Sequence, residues 1–495
     1  MEKLAFDNDK YLKMQSDKIN ERIKKFGHKL YLEFGGKLFD DYHASRVLPG
    51  FKPDSKMSML MTLKDKVEVL IVINADDIQK NKLRADLGIT YDQDVFRLID
   101  ILTSYGLYVS SIVLTQFEKQ PNAIVFKKKC EKLGLKVAKH YKIPGYPTNT
   151  DLIVSEEGLG KNEYIETTKE LVVVTAPGPG SGKMATCLSQ LYHDHKRGIK
   201  AGYAKYETFP VWNLPLKHPV NMAYEAATAD LNDVNMIDPY HLEKYGITSV
   251  NYNRDIEIFP VLNTLFKRIM DKSPYYSPTD MGVNMIGYCI IDDEIAKQSA
   301  KQEIIRRYYD ALVGVRKDIV SEQVSMEIEL LMRNLELTIH DRKVVDVANS
   351  IASSTKRPCV AIELADGTII TGKTTELLGA SCSALLNALK YLADIDDEVL
   401  LITPDVINPV QNVKTDILNS NNPHLHLDEA LITLAISAVH DEKAAKALSH
   451  IKELKNAQAH SSVILSDSDV KTFKNLGIHL TQEPHYENKK YYHGK

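Results

Sequence analysis

The chain has 495 residues, of which 44% are hydrophobic and 26% are charged, and its formal net charge at pH 7 is −4. This length exceeds what one hydrophobic core usually supports, so we expect two or three domains. A slightly acidic chain without a long basic stretch is a poor candidate for binding nucleic acid.

Membrane insertion and disulfide bonding are also disfavoured. No apolar run approaches the roughly 18 residues of a membrane helix, and the N-terminal segment lacks the apolar core of a signal peptide. The five cysteines are scattered and form no CxxC pair, as suits a reducing compartment. We therefore expect a cytoplasmic protein that does not interact with membranes.

The first part of the chain alternates between helix and strand patterns. Val67–Ile73 is apolar except for Glu68 and is rich in β-branched residues, which predicts a central parallel strand. Strands alternating with helices indicate an α/β domain with a parallel, Rossmann-like sheet. The other predicted elements in this part are helices over 10–28, 91–104 and 123–133 and strands over 110–115 and 136–141.

Two acidic residues, Asp76 and Asp77, follow the strand Val67–Ile73. Ligands in open α/β sheets bind beyond the carboxyl ends of strands, so these carboxylates are candidate acid/base or magnesium-binding groups. Acidic residues also suit the start of a helix. The sequence leaves both interpretations open.

Leu171–Arg197 predicts a buried strand, a glycine-rich turn and a helix, which is the arrangement of a phosphate-binding loop. The glycines let backbone N–H groups close around an anion, and the helix directs its unpaired N–H groups at the same point. Lys183 would neutralise a phosphate and is a candidate catalytic residue. The candidate cofactor-binding residues are Gly178, Gly180, Ser181, Gly182, Lys183 and Thr186.

The loop departs from the nucleotide-binding pattern GxxxxGK[ST] at two positions. Pro177 stands where the first glycine belongs, and Met184 replaces the hydroxyl residue that holds magnesium. Thr186 is two residues further on and points away by about half a turn of helix. ATP or another nucleotide is a possible cofactor, the use of Mg²⁺ is undecided, and no resident metal site is expected.

A predicted strand over 201–206 is followed by three long polar and aromatic segments. These are residues 207–221, 251–260 and 276–284, and the last contains Asp280, a further candidate acid/base or magnesium-binding residue. Loops of this length usually carry function. Structural lids or a contact between subunits are the alternatives, and the latter makes a homo-oligomer possible.

Three further features have ordinary structural interpretations. Cys187 lies in the first turns of the predicted loop helix, where a thiolate would be favoured, but a small buried cysteine is the commoner case. His424 and His426 have a spacing that a strand could use to hold a metal, without a readable partner carboxylate. Arg306 and Arg307 suit either phosphate binding or a solvated helix face.

Long helices between about 292 and 337 are expected to lead to a C-terminal α/β domain. An Asp366-Gly367 turn predicts a hairpin of residues 360–364 and 368–371. Further helices are expected near 376–393, 409–419, 427–439 and 443–455, and short strands at 399–402, 462–465 and 478–480. The expected domains are residues 1–165, residues 166–330, which could form one domain with the first, and residues 331–495.

Nearly the whole chain resembles a family of bacterial cytosolic proteins described only as a domain-of-unknown-function family. The resemblance implies a Rossmann-like, P-loop-like N-terminal part, a separate C-terminal α/β domain and no assigned reaction. Met184 belongs to the family's own motif, which implies a modified phosphate site. The segments that carry the resemblance are INADDIQKNKLRADLGITYD, TAPGPGSGKMATCLSQLYH, YETFPVWNLPLKHPVN, NYNRDIEIFP, YYSPTDMGVN and GKTTELLGASCSALLNALK.

The leading functional hypothesis is a cytosolic enzyme that binds a nucleotide or phosphorylated metabolite on the glycine-rich loop. Phosphoryl transfer is favoured because it requires mainly positioning and charge neutralisation. One alternative is an isomerase or lyase that holds a phosphorylated substrate without ATP. The other is a non-catalytic, nucleotide-binding sensor or assembly protein, so the sequence leaves open whether the protein is an enzyme.

Overall fold

A computed structural model describes residues 4–35, 38–39, 41–84 and 87–487 of the chain. These residues divide into two compact units. The first unit contains residues 4–225 and 233–300, and the second contains residues 226–232 and 301–487. Within the described ranges, no helix has both the length and the apolar composition to cross a bilayer.

The first unit is built on a seven-stranded sheet in which every neighbouring pair is parallel. The strand order is β11-β8-β1-β7-β2-β5-β6, and β3–β4 and β9–β10 form separate antiparallel ribbons. The strands are β1 (Leu30–Phe34), β2 (Val67–Asn74), β3 (Leu83–Arg84), β4 (Ile89–Thr90), β5 (Tyr108–Phe117), β6 (Val137–Tyr141), β7 (Leu171–Thr175), β8 (Gly202–Tyr206), β9 (Asn235–Ile237), β10 (Val250–Tyr252) and β11 (Gly282–Val283).

Helices join the strands of the first unit. The helix expected at residues 91–104 has those bounds in the structure. The helices are α1 (Asn8–Lys25), α2 (Tyr42–Val47), α3 (Ser55–Thr62), α4 (Ala75–Gln79), α5 (Tyr91–Ser104), α6 (Pro121–Lys132), α7 (Thr150–Ile153), α8 (Lys183–Lys196), α9 (Pro219–Ala227), α10 (Pro239–Tyr245), α11 (Asn253–Met270) and α12 (Pro278–Met281). A further helix, α13 (Asp293–Arg316), begins in the first unit and ends in the second.

The central strands are largely apolar because both faces of the sheet are covered. Every residue of β2 and of β7 is buried. Val, Ile and Leu suit such strands since their side chains pack well on a pleated, buried surface. The α/β fold class expected from the sequence is confirmed.

The direction of the chain through the sheet reverses between β7 and β2. From β2 the chain continues outward to β5 and β6, whereas from β7 it crosses to β8 and β11 on the other side. Such a reversal leaves a crevice beyond the carboxyl ends of the two strands, where open α/β sheets bind ligands. The topology therefore marks the ends of β7 and β2 as the place to look for a site.

The second unit contains a smaller mixed sheet with the order β13-β12-β14-β15. The pairs β12–β13 and β12–β14 are antiparallel, and β14–β15 is parallel. The strands are β12 (Cys359–Glu363), β13 (Ile369–Lys373), β14 (Gln458–Ser461) and β15 (His479–Gln482). The helices are α14 (Glu322–Asn334), α15 (Lys343–Thr355), α16 (Ala380–Leu392), α17 (Pro404–Asn412), which continues as a π-helical turn over Val413–Ile417, α18 (Leu427–Ser437), α19 (Glu442–Ser449) and α20 (Asp467–Asn475).

The hairpin around Asp366-Gly367 is confirmed, but the strand predicted at 399–402 is wrong. Leu401 and Ile402 are each 4% exposed, so their apolar character reflects packing into the core of this unit rather than strand pairing. The strand predicted at 462–465 lies instead at 458–461. Here too the apolar residues of the predicted range pack in the core without pairing as a strand. Val463 and Leu465 fill the core just beyond the end of β14.

Arg342 joins the amino-terminal part of this unit to its sheet. The side chain is 1% exposed, and its guanidinium donates to the carbonyls of Ala459 (3.1 Å) and His479 (2.6 Å). It also donates to the Gln458 Oε1 (2.7 Å) and Thr481 Oγ1 (3.0 Å) atoms. A buried charge is tolerated because its donors are satisfied in this way.

We predict that Arg342→Ala lowers the free energy of unfolding of the second unit by about 3 kcal/mol, since buried carbonyl groups lose their donors. Urea unfolding followed by circular dichroism measures the loss. Hydrogen exchange of peptides covering β14 and β15 assigns it to this unit. The matched control is Arg357→Ala, because Arg357 is exposed in the same unit. Equal losses in the two variants would show that the buried hydrogen bonds contribute nothing.

Candidate functional site

The glycine-rich loop, residues 176–182, connects β7 to α8 at the crevice where the chain direction reverses. The Thr115 hydroxyl on β5 donates to the Ser181 carbonyl (2.5 Å). The Asn74 side-chain amide at the end of β2 donates to the Gly180 carbonyl (3.5 Å). The loop thus lies across the carboxyl ends of the two strands beyond β7.

Two of the loop glycines are required by their surroundings. A Cβ atom at Gly178 would overlap the hydroxyl of Tyr91, the first residue of α5. Gly182 has a φ of +90°, and a Cβ there would lie 3.0 Å from the Thr115 methyl group. Other residues would therefore push the loop away from the strand ends.

The side chain of Ser181 has an unmet hydrogen-bonding capacity. Ser181 is 3% exposed, and its buried Oγ atom has no hydrogen-bond partner in the part of the chain that the structure describes. Leaving a buried hydroxyl unsatisfied costs about 1–3 kcal/mol, so such groups commonly indicate a ligand or an ordered water. The hydroxyl belongs to the loop that the sequence marks for an anion.

Lys183 is the first residue of α8 and is partly buried. It forms no ion pair or hydrogen bond with the described residues, whereas the partly buried Lys29 and Lys205 are both paired with carboxylates. Burial and the Glu33 carboxylate of β1 raise the pKa of the Cys187 thiol, one turn along the helix, whereas the Lys183 ammonium lowers it. Among the described residues, the Lys183 ammonium at the start of the loop helix thus has no ion-pair partner.

Asp76 and Asp77 lie at the same edge of the sheet, in the first turn of α4. The helix is capped by Asn74, whose side chain accepts from the Asp76 N–H (2.8 Å). Asp76 also accepts from the Gln120 amide (2.8 Å), and Asp77 pairs with Lys82 (3.3 Å). Because β2 is the neighbour of β7, the structure brings both carboxylates to the crevice that holds the loop.

The other candidates have different surroundings. The Thr186 hydroxyl is buried and donates back to the Gly182 carbonyl (3.0 Å), so it is already engaged within the helix. Asp280 lies on α12 next to β11, which is separated from β7 by two strands. Its carboxylate accepts from the Tyr245 hydroxyl (2.9 Å) and the Tyr276 N–H (2.9 Å). The structure thus does not bring Asp280 to the loop.

A polar group that sequence reasoning missed lies at the ends of β1 and β8. The Lys205 ammonium contacts the carboxylates of Glu207 (2.7 Å) and Asp255 (2.6 Å). Glu33 is the register neighbour of Lys205 and accepts from the Tyr203 hydroxyl (2.7 Å). We call Glu33, Lys205, Glu207 and Asp255 the Lys205 group.

The Lys205 group contains three carboxylates and one ammonium at largely buried positions. Burial raises the pKa of the Glu207 carboxyl, against the opposing effect of the Lys205 ammonium. A carboxyl with a raised pKa is suited to holding or transferring a proton. The sequence signal was the presence of charged residues inside apolar strands, Glu33 in LYLEF and Lys205 in GYAKY.

The three long middle segments pack on one another near this group. The Asn251 amide donates to the Thr279 hydroxyl (3.5 Å), and the Asn284 amide donates to the Pro210 carbonyl (2.9 Å). The Trp212 ring occupies the space beside Gly282, where a Cβ would lie 2.5 Å from the ring and 3.3 Å from Glu207. The segments thus enclose the β8 end of the sheet.

The structural interpretation of Cys187 is confirmed. Its thiol is fully buried, and burial raises its pKa well above the usual value. No cluster of three or more His, Cys, Asp or Glu side chains within the described ranges is arranged to hold a metal ion, and His426 sits at the N-cap of α18. Arg306 is paired with Glu303 (2.6 Å) on its own helix.

The fold and the site define a two-unit α/β protein with a glycine-rich loop at the reversal point of a parallel sheet. The profile "Domain of unknown function DUF1846, N-terminal" matches residues 4–336, and "Domain of unknown function DUF1846, C-terminal" matches residues 340–492. The chain belongs to the DUF1846 family.

Close relatives match the chain over its whole length. A UPF0371 protein of Corynebacterium urealyticum is 55% identical over 490 residues, which cover 99% of each chain. UPF0371 proteins of Streptococcus sanguinis and of Streptococcus pneumoniae strain Hungary19A-6 are 55% and 56% identical over 492 residues, covering 99% of this chain and 100% of theirs. The resemblance drawn from the sequence is confirmed, including its extent.

The contrast between two loop glycines can be tested directly. Gly180 and Gly182 both have positive φ, but a Cβ at Gly180 meets nothing within 4 Å. We expect Gly180→Ala to lower the free energy of unfolding by about 1 kcal/mol through backbone strain alone. Gly182→Ala should cost about 1 kcal/mol more because of the contact with Thr115. Urea unfolding measures both, and equal costs would contradict the close approach of the loop to β5.

Proposed function

We propose that this protein is an enzyme that binds a nucleotide or another phosphorylated small molecule on the loop 176–182 and transfers a phosphoryl group. The proposal depends on one observation: two neighbouring polar side chains at this loop lack partners among the described residues. The buried Ser181 hydroxyl lacks a partner, and the neighbouring Lys183 ammonium lacks a counter-charge within the described residues. A phosphate would satisfy both.

The anion would be held by three kinds of donor. The first backbone N–H groups of α8 have no partner within the helix and carry its partial positive charge. The Ser181 hydroxyl would donate a hydrogen bond, and the Lys183 ammonium would neutralise charge. The positive φ of Gly180 and Gly182 supports the turn that directs backbone groups inward.

Phosphoryl transfer fits a site that offers position and charge rather than a nucleophile. ATP or another nucleotide is the proposed donor. Asp76 and Asp77 lie at the end of the strand beside β7, where a carboxylate would orient an acceptor hydroxyl or contact a magnesium ion. Since the Thr186 hydroxyl is engaged with Gly182, these carboxylates are the better candidates for a magnesium contact.

A second candidate function is favoured by the Lys205 group. An isomerase or lyase would hold the phosphate of its own substrate on the loop and move a proton elsewhere on the same molecule. Glu207, whose pKa is raised by burial, would hold that proton. Lys205, which contacts both Glu207 and Asp255, would position the Glu207 carboxyl. Such a reaction needs no nucleotide.

We further propose a cytoplasmic location for this activity. The five cysteines all lie at described, buried positions as free thiols, which suits a reducing compartment. Binding of a nucleotide without any turnover would instead indicate a sensor or assembly protein.

The first test is Lys183→Met, which removes the charge and keeps much of the side-chain volume. We expect at least a tenfold loss of affinity for the preferred phosphate compound, because a charge-assisted hydrogen bond contributes about 1.5–3 kcal/mol. Calorimetry with inorganic phosphate, ATP with and without Mg²⁺, and hexose 6-phosphates provides the measurement.

The matched control is Lys196→Met, in the last turn of the same helix, where the lysine pairs with Glu156 at the surface. The control should bind every probe as the unaltered protein does. If Lys183→Met leaves all affinities unchanged, the loop is not a phosphate site.

The second test separates the two reactions. Incubation with hexose phosphates in D₂O shows, by NMR, whether a carbon-bound proton is exchanged. If the second candidate is right, deuterium enters the substrate, and Glu207→Gln abolishes exchange without weakening phosphate binding. Magnesium-dependent loss of the γ-phosphate of ATP, with no deuterium uptake, would reject the second candidate and support transfer.

A further inference from the structure

Tyr91, the first residue of α5, touches the glycine-rich loop with its hydroxyl group. A Cβ atom at Gly178 would overlap that hydroxyl oxygen, so the absence of a side chain at this position makes room for it. Tyr91 is 8% exposed, and its hydroxyl forms no hydrogen bond with the described residues. Polar groups at such buried positions normally have a partner, and a missing one commonly indicates a ligand. The Tyr91 hydroxyl is thus available to a ligand at the loop.

Lys82 is held beside the ring of Tyr91 by backbone hydrogen bonds. The Tyr91 N–H donates to the Lys82 carbonyl (3.0 Å), and the adjacent residues Leu83 and Thr90 pair in the β3–β4 ribbon. The Lys82 ammonium lies 5.1 Å from the centre of the Tyr91 ring, within the range of a cation–π contact. The ribbon therefore places a positive charge beside the ring whose hydroxyl touches Gly178.

The charge of Lys82 is only weakly paired. Its ammonium lies 3.3 Å from the Asp77 carboxylate, and the Lys82 side chain is 44% exposed. Ion pairs at such exposed positions contribute little to stability, because solvent screens the charges. The flexible four-carbon stem of a lysine also lets its ammonium move. Lys82 can therefore exchange Asp77 for a ligand anion at a small cost in free energy.

We propose that Lys82 and Tyr91 form a second phosphate subsite at the Gly178 end of the loop, and that the ligand carries a chain of two or more phosphates. The subsite depends on the phosphate site proposed above, which lies at the Ser181 end of the same loop. A phosphate there is served by the Ser181 hydroxyl, the Lys183 ammonium and the N–H groups of α8. The further ammonium and hydroxyl beside Gly178 are not needed for one phosphate, and they suit a second.

A nucleoside diphosphate or triphosphate is the class of ligand that matches both subsites. Its phosphates are linked in a row, so neighbouring phosphates can contact the two ends of one loop. When Lys82 turns to the ligand, the Asp77 carboxylate is released for the role proposed for it above. A hexose monophosphate has no second phosphate for Lys82 and Tyr91 to contact. Inorganic polyphosphate shares the chemistry of the chain, and binding measurements distinguish it from a nucleotide.

The decisive variant is Lys82→Met in the full chain. Calorimetry measures the binding of ATP, inorganic tripolyphosphate, AMP and inorganic phosphate. We expect the affinity for ATP and for tripolyphosphate to fall at least tenfold, because a charge-assisted hydrogen bond is lost. The affinity for AMP and for inorganic phosphate should be unchanged, since a single phosphate occupies the Ser181 end of the loop. Tighter binding of ATP than of tripolyphosphate identifies a nucleotide as the ligand.

Two further lysine variants serve as controls. Lys80→Met removes an exposed lysine two residues away, at the C-cap of α4, and should bind every compound as the unaltered protein does. Lys82→Arg keeps the positive charge and should retain most of the affinity that Lys82→Met loses. Because Lys82 is largely at the surface, urea unfolding should be the same for all three variants and the unaltered protein.

Tyr91→Phe tests the hydroxyl alone, because the ring remains in place beside Lys82. We expect the affinity for ATP to fall about fivefold, the effect of losing one neutral hydrogen bond. The control is Tyr105→Phe at the other end of α5, where the side chain is 45% exposed, and it should bind ATP normally. Equal affinities of Tyr91→Phe and Tyr105→Phe would show that the Tyr91 hydroxyl does not contact the ligand.

The outcomes separate the second subsite from the first. If Lys183→Met weakens the binding of inorganic phosphate but Lys82→Met binds ATP and tripolyphosphate normally, the second subsite is rejected and the first remains. If Lys82→Met weakens the binding of all four compounds equally, Lys82 contacts the first phosphate and the ligand need not carry a chain. If neither lysine variant alters any affinity, both subsites are rejected.

Discussion

The hydrogen bond from Thr115 to the Ser181 carbonyl fixes the position of the glycine-rich loop, and the candidate site depends on it. The bond joins β5 to a loop that begins two strands away, at β7. Gly182 favours this close approach, because a Cβ there would lie 3.0 Å from the Thr115 methyl group. With the loop held in this way, the start of α8 lies at the crevice beyond the carboxyl ends of β7 and β2.

Holding the loop in this position leaves a buried polar group without a hydrogen-bond partner in the described part of the chain, which lowers the free energy of unfolding. Among the described residues the buried Ser181 hydroxyl has no partner, which lowers stability, and the partly buried Lys183 forms no ion pair. Folding alone gives no reason to keep the hydroxyl in that state. Two other partly buried lysines of the first unit differ from Lys183: Lys205 lies between two carboxylates, and Lys29 contacts Asp194. The contrast within one unit sets the loop apart from structural ion pairs.

Sequence patterns predicted the elements whose signal is local. The strand-loop-helix around Lys183 and the helix at Tyr91–Ser104 follow from periodicity and from glycine placement. A strand was wrongly predicted at 399–402 because apolar residues can pack in a core without forming a strand. The Lys205 group was missed because its members come from β1, β8, the segment after β8 and α11, which only the tertiary fold brings together. The proximity of Asp76 and the distance of Asp280 from the loop likewise depend on the order of the strands.

The position of Trp212 has a practical consequence. It is the only tryptophan among 495 residues, and its ring lies against Gly282 close to Glu207. Indole fluorescence is sensitive to nearby charge and hydration, so its emission gives an intrinsic optical signal from this end of the sheet. Excitation at wavelengths that spare the 25 tyrosines isolates that signal. Compounds that reach the Lys205 group can thus be followed in the unlabelled protein, before any reaction is known.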